Sequence, residues 1–223
     1  MTPITILALH GMPRTGKDSS ALFAVHKYGY YHLKFATHLY REVSEAFGVT
    51  VAELESDDWK RRGQPALMLD HCNDPAFAEI ARPYFKVGEL PTSRRLLQLW
   101  GTEYRRAQNN YYWIGKLEGD MNEARMRHNA TRFVISDLRE LHEAEWINLQ
   151  VLRGVATNVS VVELVKPGVG AVDIGGGKVH TSDSRLPDHY IDDTVVNDGT
   201  LSALYGRLDK HINPAYKGQH MEW

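Results

Sequence analysis

Nine consecutive residues near the start of the chain, Gly11-Met12-Pro13-Arg14-Thr15-Gly16-Lys17-Asp18-Ser19, have the composition and spacing of a phosphate-binding loop. They satisfy G-x-x-x-x-G-K and then depart from the usual pattern, because Asp18 stands where Ser or Thr is expected. The glycines let the backbone curl until its N–H groups point at phosphate oxygens. A following helix N-terminus adds a positive dipole end, and Lys17 is placed to bridge the terminal phosphates. Gly11, Arg14, Thr15, Gly16, Lys17, Asp18 and Ser19 are therefore the candidate ligands of a nucleotide triphosphate. The alternative is an ordinary Gly-containing turn with an exposed lysine. A carboxylate beside a triphosphate is repelled unless a cation lies between them, so Asp18 implies Mg²⁺ as a co-ligand. An acidic residue in a first helical turn is also what dipole stabilisation alone predicts.

A second carboxylate, Asp137, closes the apolar run Arg132 to Asp137 (Arg-Phe-Val-Ile-Ser-Asp). The carboxyl end of a buried parallel strand is where doubly wound folds place ligand-handling groups, which makes Asp137 a second candidate for magnesium or a substrate hydroxyl. Arg139, two residues on, is placed to neutralise charge on a transferring phosphoryl group; a surface Asp137–Arg139 pair is the competing reading. Eight of the sixteen arginines fall between residues 94 and 139. On a regular helix Arg95, Thr102 and Arg106 share a stripe, with Trp100 and Glu103 close by, a candidate wall for a monophosphate and its base. Arginines on a solvated helix and a tryptophan in a core remain the alternatives.

These groups need a scaffold, and the hydrophobic pattern supplies one. Ile4 to His10 reads as a buried strand, and Gly16 to Tyr28 as the helix that leaves the loop. Tyr30 to Phe35 reads as a strand, Leu39 to Phe47 as a helix ending at Gly48, and Val51 to Arg62 as a helix. Ser93 to Arg106 and Trp113 to Arg127 are helical, Glu140 to Arg153 follows the strand at 132, and Val159 to Val165 is again a strand. His189 to Ile191 reads as a last short strand before a helix from Leu201 to His211. Strands separated by helices imply an α/β fold with a doubly wound, mainly parallel sheet flanked by helices. At 223 residues one domain, 1–223, is expected, with a helical acceptor-binding or lid insertion at about 49–130.

Composition narrows the partners. A formal net charge of −2 argues against a nucleic-acid polymer or an anionic membrane held by overall charge. The apolar run after Met1 is too short for a membrane span and lacks a basic leader, and the single Cys72 fits a reducing compartment, so a cytoplasmic location is expected. Gly175-Gly176-Gly177-Lys178 resembles a phosphate loop in composition, but its flanks alternate like a hairpin. The eleven histidines show no zinc spacing; His180 alone, in His180-Thr181-Ser182-Asp183, stands near other polar ligands.

Taken together, the chain resembles the bacteriophage-type deoxynucleoside monophosphate kinases. Five segments carry the likeness: the loop itself; Lys34-Phe35-Ala36 with the helix ending Phe47-Gly48; Leu97 to Arg106; Ile135-Ser136-Asp137-Leu138-Arg139 with Glu143-Ala144-Glu145; and His180 to Asp183 through Asn197 to Leu201. Asp after the loop lysine is similar to the pattern of that family, whereas Asp183 stands where the family pattern has Glu. The resemblance implies a P-loop fold and transfer of the ATP γ-phosphoryl group, with Mg²⁺, to a deoxynucleoside 5′-monophosphate for phage DNA precursor synthesis. It also implies Lys17, Asp137 and Arg139 at the catalytic centre, Asp18 and Asp137 toward the metal, and Lys34, Phe35, Arg95, Trp100, Glu103, Arg105 and Arg106 toward the acceptor. Small nucleotides are then the partners, and a homodimer is usual in such a family. Related P-loop kinases for dephospho-coenzyme A or phosphomevalonate, and a non-catalytic nucleotide switch, are the alternatives.

Overall fold

A computed structural model describes residues 3–169 and 185–212. Gly175 to Lys178, His180 and Asp183, singled out above, lie outside the described residues. Five parallel strands form one sheet: β1 (Ile4–His10), β2 (Tyr31–Leu33), β3 (Arg132–Leu138), β4 (Ala156–Val165) and β5 (Asp193–Val196), in the order β2-β3-β1-β4-β5. This is the α/β architecture, a doubly wound parallel sheet flanked by helices, that the strand and helix alternation implies. All-parallel strands buried on both faces read as continuous apolar runs, and Ile4 to Leu9 is of that kind. β1 is central, flanked by β3 and β4, so its carboxyl end opens where ligands bind in such sheets.

One face of the sheet presents Leu7, Leu9, Val134, Val162, Leu164 and Val195. Against it pack Ala21 and Ala24 of α1 (Lys17–Tyr28) and Leu204, Leu208 and Ile212 of α9 (Leu201–Ile212). Burying each leucine, isoleucine or valine contributes about 1.5–3 kcal/mol, and the small alanines let the helix that leaves the loop pack close to the sheet. On the other face α8 (Leu141–Leu152) packs along β4. Its N-terminus is closed by a capping box in which Glu143 Oε2 accepts the Arg139 and Glu140 N–H groups at 3.0 and 3.1 Å.

The chain divides into two compact units, one of residues 1–34 and 117–223 carrying the sheet, the other of residues 35–116. The second unit is helical: α2 (Ala36–Phe47), α3 (Val51–Glu55), α4 (Asp57–Arg61), α5 (Pro75–Ala81), α6 (Ser93–Leu99), a π-helical turn (Trp100–Arg106) and the start of α7 (Tyr112–His128). It begins earlier and ends earlier than the 49–130 expected for an insertion. Its core is aromatic. Phe77 lies 4.5 Å from Trp100 and 5.7 Å from Tyr104, centroid to centroid, and meets Phe47 edge-on.

Three elements differ from the sequence expectation, each for a local reason. The helix expected over Val51 to Arg62 is two helices, because Ser56 is extended (φ −64°, ψ 144°) and its Oγ accepts the Trp59 N–H to start α4. The strand expected at His189 to Ile191 is a 3₁₀ turn, Asp188–Tyr190, and β5 comes later, where Thr194, Val195 and Val196 supply β-branched residues. The helix expected from Ser93 to Arg106 is α-helical only to Leu99 and then widens to π.

Candidate functional site

The phosphate loop leaves β1 at His10 and enters α1 at Lys17. Gly11 has φ +132°, and a Cβ there would sit 2.3 Å from the Leu164 carbonyl oxygen of β4, so only glycine lets the loop lie this close to the sheet. Gly16 has φ +106°, and its Cβ would meet Asn197 Nδ2 at 2.8 Å. Arg14 is left-handed (φ 67°) and exposed at the tip of the loop. Thr15 is buried; its hydroxyl donates to Met12 O at 2.8 Å, and its carbonyl accepts Asn197 Nδ2 at 2.9 Å. Lys17 Nζ donates to Gly11 O at 2.6 Å and Met12 O at 2.7 Å, folding the ammonium back over the loop. That geometry holds a cation over the loop at the N-terminus of α1, where the electrostatics suit an anion.

Asp18 and Ser19 lie in the first turn of α1. Asp18 Oδ1 pairs with Lys34 Nζ at 2.7 Å and accepts the Ser136 hydroxyl at 3.3 Å. Burial pushes the carboxyl upward, but the Lys34 hydrogen bond and charge and the Ser136 hydroxyl outweigh it and hold Asp18 below the usual carboxylate range. Ser136 Oγ in turn lies 2.8 Å from His32 Nε2, and burial lowers the His32 pKa, which keeps that imidazole neutral. Asp137 follows Ser136 on β3, partly exposed, and its charge acts on His32. The exposed Arg139 side chain makes no ion pair with Asp137 or any other group among the described residues. Loop, Asp18, Lys34 and β3 thus come together.

Asp18 Oδ2 has no protein partner among the described residues, and an ionised carboxylate oxygen suits a hard cation. No group of three or more His, Cys, Asp or Glu side chains among the described residues could by itself hold a metal ion. The residues therefore fit a Mg²⁺ that takes most of its coordination from phosphate and water. They do not form an all-protein cage.

Beneath the loop, the paired residues His10, Glu163 and Thr194 form a polar row across β1, β4 and β5. His10 Nδ1 donates to Leu138 O at 3.0 Å and Nε2 accepts the Leu186 N–H at 3.3 Å, with burial lowering its pKa and keeping it neutral. Glu163 accepts both Nε and Nη2 of Arg185, at 2.8 and 2.9 Å. These contacts brace the strand ends from which the loop springs.

In the second unit the expected acceptor residues separate into distinct environments. Arg95 donates to Tyr84 O and lies over the Phe85 ring at 5.1 Å, away from any shared stripe with Arg106. Phe35 is buried. Trp100 is 2% exposed, so its ring faces are covered by protein and are not open to a base. Its indole N–H instead donates to Glu42 Oε2 at 2.9 Å, where Arg105 Nε also donates at 2.7 Å; Tyr112 Oη donates to Glu42 Oε1 at 2.6 Å. Burial works against the Glu42 charge, but the three donors outweigh it and lower its pKa; burial and the same carboxylate push Tyr112 up to about 12. Glu103 carries a buried Oε2 with no hydrogen-bond partner among the described residues, and Arg106 is half-buried on the same turn.

Sequence reasoning gave no role to Glu42, Tyr112, His32, Ser136 or Asn197. Glu42 had a signal: it lies three residues from Leu39 and four from Ala46, on the apolar stripe of α2, where a carboxylate must find partners. His32 had none in its neighbours, whereas Ser136 stands next to Asp137 and Asn197 opens the last segment of the resemblance.

No family model matches the chain, and no curated protein matches it. Among solved structures, an unliganded sugar kinase from Janibacter sp. HTCC2649 is similar at 15% identity, covering 96% of this chain and 98% of that one, with a TM-score of 0.39. The dephospho-CoA kinase from Campylobacter jejuni is similar at 13% identity over 96% and 98%, with a TM-score of 0.46. No described helix is long and apolar enough to cross a membrane.

Proposed function

We propose that the protein is an ATP-dependent kinase whose acceptor is a deoxynucleoside 5′-monophosphate. The observation that carries this reading is the phosphate loop: a positive-φ glycine at each end, Lys17 folded onto its carbonyls and an ionised Asp18 beside it. Carbonyl contacts of Lys17 at 2.6 and 2.7 Å are exchanged for phosphate oxygens when nucleotide binds, so the ammonium keeps hydrogen-bond acceptors in both states. Backbone N–H groups of the loop orient the triphosphate. Asp18, with Asp137 nearby on β3, would hold Mg²⁺, and the metal would supply neutralisation of the triphosphate charge. Lys34 keeps Asp18 ionised and fixes its direction.

Transfer is in-line and needs no covalent intermediate, so the protein's task is to position two anions and to balance their charge. Arg139 is exposed, with its guanidinium outside any ion pair among the described residues, and serves the transferring phosphoryl group. Acceptor recognition belongs to the helical unit, where Arg105, Glu103 and Arg106 lie on one π-helical turn. The deoxynucleotide class rests on the five-segment sequence resemblance, and the same resemblance motivates a homodimer in solution.

The test is direct. The full chain with Mg-ATP is offered each of the four deoxynucleoside monophosphates, with dephospho-coenzyme A and phosphomevalonate as controls, and ADP and phosphorylated product are quantified. Diphosphate from one or more dNMPs is expected. Phosphorylation of a control alone, or ADP formed without acceptor dependence, overturns the acceptor assignment and leaves the nucleotide site standing.

A further inference from the structure

We propose that Glu42 is a positioning residue for the acceptor site: it locks Arg105 by its Nε so that the two Nη groups form a preset fork for a phosphate monoester dianion. The identification of that dianion with the acceptor nucleotide's phosphate rests on the reading above. The fork itself rests on geometry within the helical unit alone.

Glu42 uses both carboxylate oxygens, holding Trp100 Nε1 and Arg105 Nε on Oε2 and the Tyr112 hydroxyl on Oε1. A structural arginine–carboxylate pair ordinarily takes the bidentate form, two parallel N–H···O bonds. Here the second oxygen accepts from Tyr112, and Glu42 engages Arg105 only through Nε. Arg105 makes no other hydrogen bond among the described residues, which leaves the donors on Nη1 and Nη2 unused. Water reaches the site, since the Arg105 side chain is 21% and the Glu42 side chain 16% exposed.

The plane of the fork is set as well as its direction. The guanidinium carbon lies 4.5 Å from the Tyr104 ring centroid, 5.2 Å from Tyr112 and 5.4 Å from Trp100. Three aromatic faces around one cation hold it against rotation and favour its charged form. Lys116 Nζ lies 5.4 Å from the Tyr112 ring and adds a second positive charge nearby. The π-helical turn makes this possible. Trp100 and Arg105 are five residues apart, which a regular α-helix would place on different faces, and the wider turn brings both to Glu42. An arginine whose orientation is fixed before binding loses little entropy on meeting a phosphate, and its two Nη groups match two phosphate oxygens.

The experiment compares wild type with Glu42→Gln, Tyr112→Phe, Arg105→Ala and the Glu42→Gln/Arg105→Ala double variant. Acceptor KM, ATP KM and kcat are measured with the best dNMP, and a calorimetric titration of orthophosphate into Mg-ADP-loaded full chain is run beside them. Glu42→Gln is expected to raise acceptor KM about tenfold, with kcat and ATP KM within about twofold. Tyr112→Phe, which removes one hydroxyl and keeps the ring, is expected to raise it about threefold. Because Glu42 acts through Arg105, the double variant should be no worse than Arg105→Ala alone. An unchanged acceptor KM in Glu42→Gln, an equal rise in ATP KM, or additive losses in the double variant overturns the proposal. If wild type phosphorylates no dNMP, the functional reading fails separately and the titration decides. Orthophosphate binding weakened alike in Glu42→Gln and Arg105→Ala supports the fork, and binding unchanged in either refutes it.

Discussion

Asn197 offers a sharp test of how the phosphate loop is held. Its side chain is nearly buried (9% exposed), and its Nδ2 donates to Thr15 O at 2.9 Å from the far end of β5, while its own backbone N–H donates to Val165 O at 2.7 Å. The backbone bond survives any substitution, so only the loop contact is perturbed. In Asn197→Ala the Thr15 carbonyl, in a residue that is 1% exposed, loses its donor; an unsatisfied buried group costs about 1–3 kcal/mol. Taking about 2 kcal/mol and assigning it to the loop gives a rise in Mg-ATP KM of roughly ten- to thirtyfold. Asn197→Asp separates the hydrogen bond from packing. It preserves volume but sets a carboxylate oxygen against the Thr15 carbonyl and adds negative charge near the phosphates, so it should be at least as damaging as alanine. Nucleotide affinity by calorimetry and urea denaturation of both variants provide the measurement. Wild-type ATP affinity in Asn197→Asp would refute the reasoning, since it would show that filling space, not donating to Thr15, is what the side chain contributes.

Gly11→Ala should destabilise the fold by about 3 kcal/mol or more, because the new Cβ meets a backbone oxygen at 2.3 Å and a φ of +132° is strained for any L side chain; a lower urea midpoint checks it. Glu42 yields a pH effect with a definite sign. Its folded pKa is lowered, so the stability it contributes is fully present above about pH 4.3, the ordinary glutamate value, and is lost as pH falls through the lower folded value. Urea midpoints measured from pH 6 down to pH 3 should therefore fall less steeply in Glu42→Gln than in wild type, and parallel profiles would contradict the assignment.

What could be read without a structure was whatever a short window of residues encodes. The loop is legible because its glycines, lysine and flanking strand and helix are contiguous, and their backbone demands are local. The alternation of apolar strands and amphipathic helices specifies the α/β class for the same reason, since the period of two or 3.6 repeats within a dozen residues. Ser56 and the late β5 mark where that local reading fails, because an N-cap and a short edge strand compete with stronger-looking neighbours.

Tertiary structure alone decided the pairings. Asp18 finds Ser136 across 118 residues of chain, Thr15 finds Asn197 across 182, and Arg105 finds Glu42 across 63. No periodicity links such positions; they meet because sheet order and helix packing bring distant segments together. The helical wall of Arg95, Thr102 and Arg106 dissolved for a related reason. A regular α-helical period predicts it, but the segment widens into a π turn at Trp100, where the indole is buried against Phe77 and bonded to Glu42. Motif spacing marked a candidate phosphate loop and the sequence an arginine-rich segment, while the register of one helical turn determined which arginine is held by Glu42.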